Sequence, residues 1–173
     1  LEFFAEDGFD DYLKKFGRAP LPPYIKRKKN TSPNIADLER YQTIYAQNPG
    51  SIAAPTAGLH FSEDVLQTLH SNGIQIAPIT LHVGYGTFLP IEVSDIEKHV
   101  MESEYYEISP ESSQVINNAK RLIAVGTTST RTLESACDNS GYVNVHSGFT
   151  NLFIYPGYKF KRVNGLLTNF HLP

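Results

Sequence analysis

The strongest constraint on the fold is a short apolar run that leads through a hydroxyl-rich loop into a helix. Leu122–Val125 is continuously apolar, which is typical of a strand buried on both faces. Gly126 and a run of hydroxyl residues follow, and the spacing of Arg131, Leu133 and Ala136 predicts a helix after them. A strand, a loop and a helix in this order form half of a βαβ unit. The sequence therefore predicts an α/β protein with a mixed sheet flanked by helices.

Apolar spacing and capping residues predict further helices. Ser62 is a good N-cap followed by two acidic residues, and Ser109 is an N-cap followed by a proline. The helix after Ser62 is expected to bury a stripe of three apolar residues, namely Val65, Leu66 and Leu69. Two other helices are expected at Phe9–Phe16 and at Ile35–Tyr45.

Strand structure is expected at 74–83 and again from Val143 onward. Pro78 interrupts the first segment, which argues for an edge strand or a bend. Asn164 and Gly165 suit a two-residue hairpin. The aromatic residues of the last region are spaced for strands and are most economically assigned to the core, with one or two as candidates to stack on a base. They are Phe149, Phe153, Tyr155, Tyr158 and Phe160.

The composition excludes several classes of protein. The chain has 173 residues, enough for one core, and is 40% hydrophobic and 19% charged, too apolar for a disordered tail. Its net charge of -3 excludes an overall basic nucleic-acid coat but not a local basic patch. The single cysteine, Cys137, has no partner for an internal disulfide, and we read it as a small core residue. No apolar run is long enough to span a bilayer, so we expect a soluble cytoplasmic protein.

Both ends of the sequence indicate a fragment. The chain begins without an initiator methionine and stops just after an apolar stretch with no polar tail. Natural ends are usually polar and frayed, so we expect a piece of a longer protein.

The loop after Leu122–Val125 is a candidate anion site. Free backbone N–H groups at the start of a helix, four successive hydroxyls and Arg131 suit a carboxylate or a phosphate. The alternative is an ordinary strand-to-helix turn with hydroxyl caps. The loop lacks the Gly-Lys pair of a P-loop and a full GxGxxG, which disfavours nucleoside triphosphate binding.

Three other segments carry candidate chemistry. The glycines of His82–Phe88 permit close approach of a ligand, or form a plain turn. The segment from His99 to Glu104 could supply metal ligands or an acid–base pair, or be an acidic surface. The basic run Lys26–Lys29 is a solvated loop or a phosphate-contacting arm for RNA.

Seven segments, in order along nearly the whole chain, match one pattern: Pro20–Ile25, Tyr41–Ala46, Ala53–Phe61, Leu81–Phe88, Val125–Glu134, Phe153–Tyr158 and Thr168–Pro173. Together they strongly resemble one family, the S-adenosylmethionine:tRNA ribosyltransferase-isomerases of queuosine biosynthesis. The sequence departs from the family at Glu102, where a second histidine is usual, and in a shorter link at Asn118–Leu122.

The resemblance implies a fragment of a larger two-domain enzyme. Residues 1–173 would be the C-terminal portion of the α/β catalytic domain, and a β-barrel-like domain would be mostly absent. Residues 1–25 would be the connection that returns from that domain.

The reaction implied by the resemblance transfers the ribosyl part of S-adenosylmethionine to 7-aminomethyl-7-deazaguanine in tRNA. Methionine and adenine leave, and the ribose is isomerised to give epoxyqueuosine. S-adenosylmethionine is then a co-substrate, with no prosthetic group and no metal. The partners would be the tRNA anticodon stem-loop and S-adenosylmethionine, with no membrane, and the protein would be a monomer.

The resemblance also implies site residues, which we expect to converge at the carboxyl edge of the sheet. Candidate acid–base residues are His60, His82, His99, Glu104 and His171. Gly84, Gly86 and Thr87 would approach the nucleoside. The methionine carboxylate or a tRNA phosphate would bind at Gly126, Thr127, Thr128, Ser129 and Arg131. The tRNA backbone would meet Lys26, Arg27, Lys28 and Lys29.

Two alternatives remain open. One is a non-catalytic RNA-binding module. The other is a metal-dependent hydrolase that uses His99, Glu102 and Glu104.

Overall fold

The computed structural model of the chain describes residues 8–22, 25–26, 35–88, 93–144 and 147–170. In these ranges the helices are α1 (Phe9–Phe16), α2 (Ile35–Arg40), α3 (Glu63–Ser71), α4 (Pro110–Asn118) and α5 (Thr127–Ala136). The strands are β1 (Thr80–His82), β2 (Glu104–Glu107), β3 (Ile123–Val125), β4 (Ser147–Thr150) and β5 (Gly165–Leu167). Short 3₁₀ helices occupy Thr56–His60, Tyr85–Phe88 and Ile96–Lys98. None of the described helices is both long and apolar enough to cross a membrane.

The described strands form two small sheets, and the predicted α/β class is confirmed. The first sheet is antiparallel, in the order β1-β2-β4, with Leu81 opposite Tyr106 and Tyr106 opposite Gly148. The second is the parallel pair β3–β5. β1 lies at the edge of its sheet, as Pro78 predicts. It covers only Thr80–His82 of the strand predicted at 74–83.

β3, α5 and β5 form the βαβ arrangement that the sequence indicates. Parallel strands need a crossover, and α5 together with the chain through β4 supplies it. The expected burial of the strand on both faces is wrong for the described residues. Ala124 is 3% exposed but Ile123, which points to the opposite face, is 47% exposed, so one face of β3 is covered and the other is open.

The hydrophobic core lies between the inner face of the antiparallel sheet and helices α4 and α5. Its members are Tyr106, Ile108, Ile116, Ala124, Leu133, Ala136, Cys137, Val143 and Val163. Cys137 is therefore a core residue, as expected, and burial raises the pKa of its thiol.

The predicted helix caps are confirmed, whereas the predicted burial of a helix face is not. Ser62 accepts from the Val65 N–H at 3.3 Å, and Ser109 accepts from the Ser112 N–H at 3.1 Å, so both caps are confirmed. The buried stripe of α3 is wrong, because no residue of this surface helix is buried and Val65 is 40% exposed. The helix predicted to reach Tyr45 ends at Arg40, where the chain turns.

The predicted hairpin at Asn164 is also wrong. Gly165 is the first residue of β5, which runs parallel to β3. The Asn164 side chain accepts from the Leu122 N–H at 2.8 Å, and its own N–H donates to the Leu122 carbonyl at 2.9 Å. The asparagine thus aligns the start of β5 with the start of β3 instead of closing a turn.

The aromatic residues assigned to the core lie largely at the surface. Phe149 is 71% exposed, Phe160 51% and Tyr155 36%, while Phe153 and Tyr158 are half-buried. Tyr155 and Phe160 lie outside the described strands, and for Phe149 the reason is strand phase. Phe149 alternates with the inward-facing Thr150, so its ring stands on the outer face of the sheet.

Candidate functional site

A buried ion pair lies at the edge of the antiparallel sheet where β2 begins. Glu104 is 4% exposed and Arg131 is 8% exposed. The Arg131 Nη1 group donates to the Glu104 Oε2 atom at 2.9 Å. The Arg131 Nε group donates to the Leu152 carbonyl, just beyond β4, at 2.8 Å. The arginine therefore joins α5 to β2 and to the segment that follows β4.

The carboxylate of Glu104 also meets the loop that follows β1. The backbone N–H of Gly84 donates to it, and this bond and the Arg131 charge both favour the ionised form. Burial outweighs them and raises the pKa of Glu104, with a smaller contribution from the nearby charge of Glu102. A carboxylate with a raised pKa is suited to exchange a proton closer to neutral pH.

The segment before the first 3₁₀ helix runs beside the end of β1 and reaches the start of α5. The Ser51 hydroxyl donates to the Leu81 carbonyl at 2.7 Å and accepts from the Val83 N–H at 3.0 Å. Further along, a Cβ placed on Gly126 would lie 4.0 Å from the Pro55 side chain. Gly126 has φ 94°, a left-handed conformation that favours glycine.

These contacts bring several of the predicted site residues together. Gly84, Glu104 and Arg131 are joined by hydrogen bonds, and Gly126 lies at the start of the helix that carries Arg131. β1 and β4 end at this edge while the antiparallel β2 begins there. The cluster thus lies at the carboxyl ends of β1 and β4.

Arg131 is expected, from the sequence, to bind an anion through two parallel N–H groups of its guanidinium. In the structure these groups are not all free for a ligand. Two of its nitrogens are used by Glu104 and Leu152. Its Nη2 atom is buried and has no hydrogen-bond partner among the described residues. The donors of this arginine that Glu104 and Leu152 do not use are therefore those of Nη2 and the second N–H of Nη1.

Glu102 lies against Gly86. A Cβ on Gly86 would stand 2.8 Å from the Glu102 Cγ atom and 2.7 Å from its Cδ atom, so the side chain occupies space that the glycine leaves free. His99 instead packs on Phe153, with ring centroids 4.8 Å apart. His99, Glu102 and Glu104 therefore point to different neighbours, and the described residues contain no group of three that could hold a metal ion.

His82 lies on the opposite face of the sheet from Glu104. It pairs with Tyr105, with ring centroids 5.4 Å apart, and Tyr105 is the residue next to Glu104. Successive strand residues point to opposite faces, so the two candidate acid–base groups are separated by the sheet. Gly50 holds the histidine ring from the other side, since a Cβ there would stand 3.3 Å from the His82 Cγ atom.

The other predicted site residues differ in their exposure to solvent. His60, Thr87, Thr127 and Lys26 are exposed, Ser129 is half-buried and Thr128 is buried. His60 ends the 3₁₀ helix that follows Pro55. His171, Arg27, Lys28 and Lys29 lie outside the described residues.

Sequence reasoning missed two residues that shape the site, Ser51 and Leu152. Ser51 bonds the end of β1 through its hydroxyl, and Leu152 contributes only its carbonyl. Neither role leaves a sequence signal, because each depends on a partner that lies 30 or 21 residues away.

We expect Gly50→Ala to destabilise the protein by about 2 kcal/mol, since φ is 142° at Gly50 and the new methyl group would displace the His82 ring. Gly73→Ala is the matched control, because Gly73 also has a positive φ, of 72°, but nothing lies within 4 Å of its Cβ position. It should cost about 1 kcal/mol. Urea unfolding measures both. Equal losses would show that His82 does not pack on Gly50.

Comparison with known proteins identifies the family. A family model described as Queuosine biosynthesis protein matches residues 1–173. The chain belongs to this family. It is 65% identical over 173 residues to an S-adenosylmethionine:tRNA ribosyltransferase-isomerase of Syntrophus aciditrophicus. It is 50% identical over 175 residues to a protein of the same name from Caldanaerobacter subterraneus subsp. tengcongensis.

These matches confirm the resemblance seen in the sequence. They cover 100% and 99% of the chain but 48% and 50% of the two relatives. The chain thus spans about half the length of the curated relatives it matches.

Proposed function

We propose that the protein carrying this chain is an S-adenosylmethionine-dependent tRNA ribosyltransferase-isomerase of queuosine biosynthesis. The observation that carries the proposal is the 65% identity, over every residue of the chain, to a protein of that name. In finer terms, the ribosyl part would be transferred to 7-aminomethyl-7-deazaguanine in tRNA and isomerised to epoxyqueuosine, with release of adenine and methionine.

The chemistry needs groups that move protons. The positive sulfur acidifies the adjacent 5′ carbon, so a base must take a proton there. Adenine leaves more easily once a ring nitrogen is protonated, and the attacking amine must be neutral. Histidine and carboxylate groups suit these steps.

We assign Glu104 to this chemistry because it is buried, has a raised pKa and is held in place by Arg131 and Gly84. His60, His99 and His171 remain candidates on the resemblance. His82 stands on the far face of the sheet from Glu104, which favours a role in binding.

The start of α5 is proposed to bind the methionine carboxylate or a tRNA phosphate. Backbone N–H groups of Thr127, Thr128 and Ser129 lie in its first turn, where the helix dipole favours an anion. The buried, unpartnered Nη2 atom of Arg131 adds a cation one turn further on. Gly84, Gly86 and Thr87 would face the nucleoside.

The proposal also covers the place of the chain in the enzyme, its contact with tRNA and its cellular setting. Residues 1–173 form the C-terminal portion of the α/β catalytic domain, with 1–25 as the connection from a β-barrel-like domain. The run Lys26–Lys29 contacts the anticodon stem. The enzyme works in the cytoplasm as a monomer, with S-adenosylmethionine as co-substrate.

A single-turnover assay of the full-length protein tests the function. The substrates are tRNA bearing the aminomethyl-deazaguanine and S-adenosylmethionine labelled in the ribose, and the readouts are label in tRNA and free adenine. We expect both to appear together. Tight tRNA binding with neither product would contradict the proposal and favour a non-catalytic RNA-binding module.

A further inference from the structure

A row of three rings crosses the outer face of the antiparallel sheet. His82, Tyr105 and Phe149 are register partners on β1, β2 and β4. The ring centroids of His82 and Tyr105 are 5.4 Å apart, and those of Tyr105 and Phe149 are also 5.4 Å apart. Phe149, at the end of the row, is 71% exposed. The rings meet edge to face, at 88° and 65°, and His82 and Tyr105 are half-buried, so the row is open to solvent mainly at Phe149.

At β1 the 48–51 segment borders this face, since the Asn48 amide donates to the Thr80 hydroxyl at 2.7 Å and Gly50 packs on His82. Across β2 and β4 the face does not resemble a surface that another protein layer covers. The other outward-facing strand residues are Thr80, Glu107 and Ser147. The three strands thus carry no Val, Ile or Leu on this side, whereas sheet faces packed against protein are rich in them. Rings and hydroxyls together suit a planar, polar ligand that offers aromatic faces and hydrogen-bonding edges.

The row ends near the edge of the sheet that holds the candidate site, on the opposite face from Glu104. His82 is held by Gly50, and two residues further on Gly84 donates to the Glu104 carboxylate. The acidic residue of this face, Glu107, lies at the opposite end of the strands from Gly84. A strand of nucleic acid entering the site over this edge would meet the rings without passing the carboxylate of Glu107.

We propose that His82, Tyr105 and Phe149 form a stacking surface for unpaired bases of the RNA substrate, beside the base that is modified. The inference rests on the proposed function, because it takes RNA as the substrate. Exposed aromatic residues on a sheet bind two or three bases in other single-strand RNA readers. Stacking needs only an aromatic face, so the surface would tolerate different bases.

Phe149→Leu in the full-length protein tests the proposal, since leucine keeps an apolar side chain but removes the ring. We expect the affinity for the tRNA substrate to fall roughly tenfold, the usual scale for one lost base stack. Filter binding over a range of salt concentrations measures it. The slope of log affinity against log salt should not change, because no phosphate contact is removed.

Two matched variants sharpen the test. Phe149→Tyr keeps a ring and should bind tRNA within about twofold of wild type. Tyr142→Leu removes an aromatic side chain that is 53% exposed but outside the row, and should leave affinity unchanged. Unchanged affinity in Phe149→Leu, or a loss that comes with a shallower salt slope, would overturn the stacking surface.

The remaining outcomes separate this proposal from the proposed function. Label transfer by the wild type together with normal tRNA binding by Phe149→Leu would remove the stacking surface and keep the enzyme. Absence of tRNA binding by the wild type would remove both. A lowered melting temperature or altered elution volume of Phe149→Leu, with tRNA affinity intact, would show that protein covers this face and would overturn the inference.

Discussion

On the proposed function, replacement of Glu104 by glutamine in the full-length protein is expected to abolish most ribosyl transfer. The same change is expected to destabilise the protein. Arg131 would keep its charge while buried at 8% exposure, with no carboxylate beside it. Removing one partner of a buried ion pair costs about 3 kcal/mol or more, because the other charge is left uncompensated. Losing a group that moves a proton lowers the rate by at least about 100-fold. The free energy of unfolding in urea and the single-turnover rate measure the two effects.

A double-mutant cycle separates the two roles of Glu104. Arg131→Gln alone should also lose about 3 kcal/mol, whereas the double variant Glu104→Gln/Arg131→Gln removes both charges and should lose much less than the sum. We expect the double variant to regain stability without regaining label transfer. Return of transfer together with stability would show that Glu104 only positions the fold.

Glu107→Gln is the matched control for this cycle. Glu107 lies on the same strand, but it is exposed and faces away from Arg131. Its replacement should change the free energy of unfolding by less than about 0.5 kcal/mol.

The sequence predicts those features of the fold that depend on residues close together in the chain. The caps Ser62 and Ser109 and the strand–loop–helix unit through Gly126 all depend on residues close in the chain, and all are present in the structure. The sequence does not predict which strands pair when they lie far apart in the chain. β2 has the sequence Glu-Tyr-Tyr-Glu, in which the inward Glu104 and the outward Tyr105 reverse the usual alternation of apolar and polar residues.

Burial was the property least accessible to sequence reasoning. The hydroxyl-rich loop at the start of a helix suggested a ligand-facing Arg131, but the partner that buries it lies 27 residues away. Conversely, Ile123, Leu166 and Leu167 are apolar yet 43–49% exposed on β3 and β5. Parallel strands are normally covered on both faces. Among the described residues, these three side chains lack such cover.

The largest loss of stability is expected for Glu134→Ala. Glu134 is 1% exposed, and its carboxylate accepts from the backbone N–H groups of Lys161, Arg162 and Val163 at 2.8–2.9 Å. The Tyr158 hydroxyl donates as well, at 3.2 Å. Burial and this carboxylate raise the pKa of Tyr158 to about 12, so the phenol stays protonated as a donor. Removing the acceptor would leave several donors unpaired, at a cost of about 4 kcal/mol.

Glutamine should not rescue this position. The Oε1 atom accepts from Arg162 and Val163, and the Oε2 atom accepts from Lys161 and Tyr158. An amide has one NH₂ group, which would point donor hydrogens at one of these two pairs of donors in either orientation. We therefore expect Glu134→Gln to lose nearly as much stability in urea as Glu134→Ala. The exposed Glu97, replaced by glutamine, is the control and should lose almost none.

The loss at Glu134 is also expected to reach the candidate site, although Glu134 does not touch it. The segment that Glu134 holds leads into β5, and the Leu167 carbonyl at the end of β5 accepts from the Gly126 N–H at 2.9 Å. Freeing this segment would loosen the loop that begins α5. Hydrogen exchange at the Gly126 amide should therefore accelerate in Glu134→Gln and stay unchanged in Glu97→Gln. Equal protection of this amide in both variants would show that the carboxylate stabilises its own segment without fixing the anion loop.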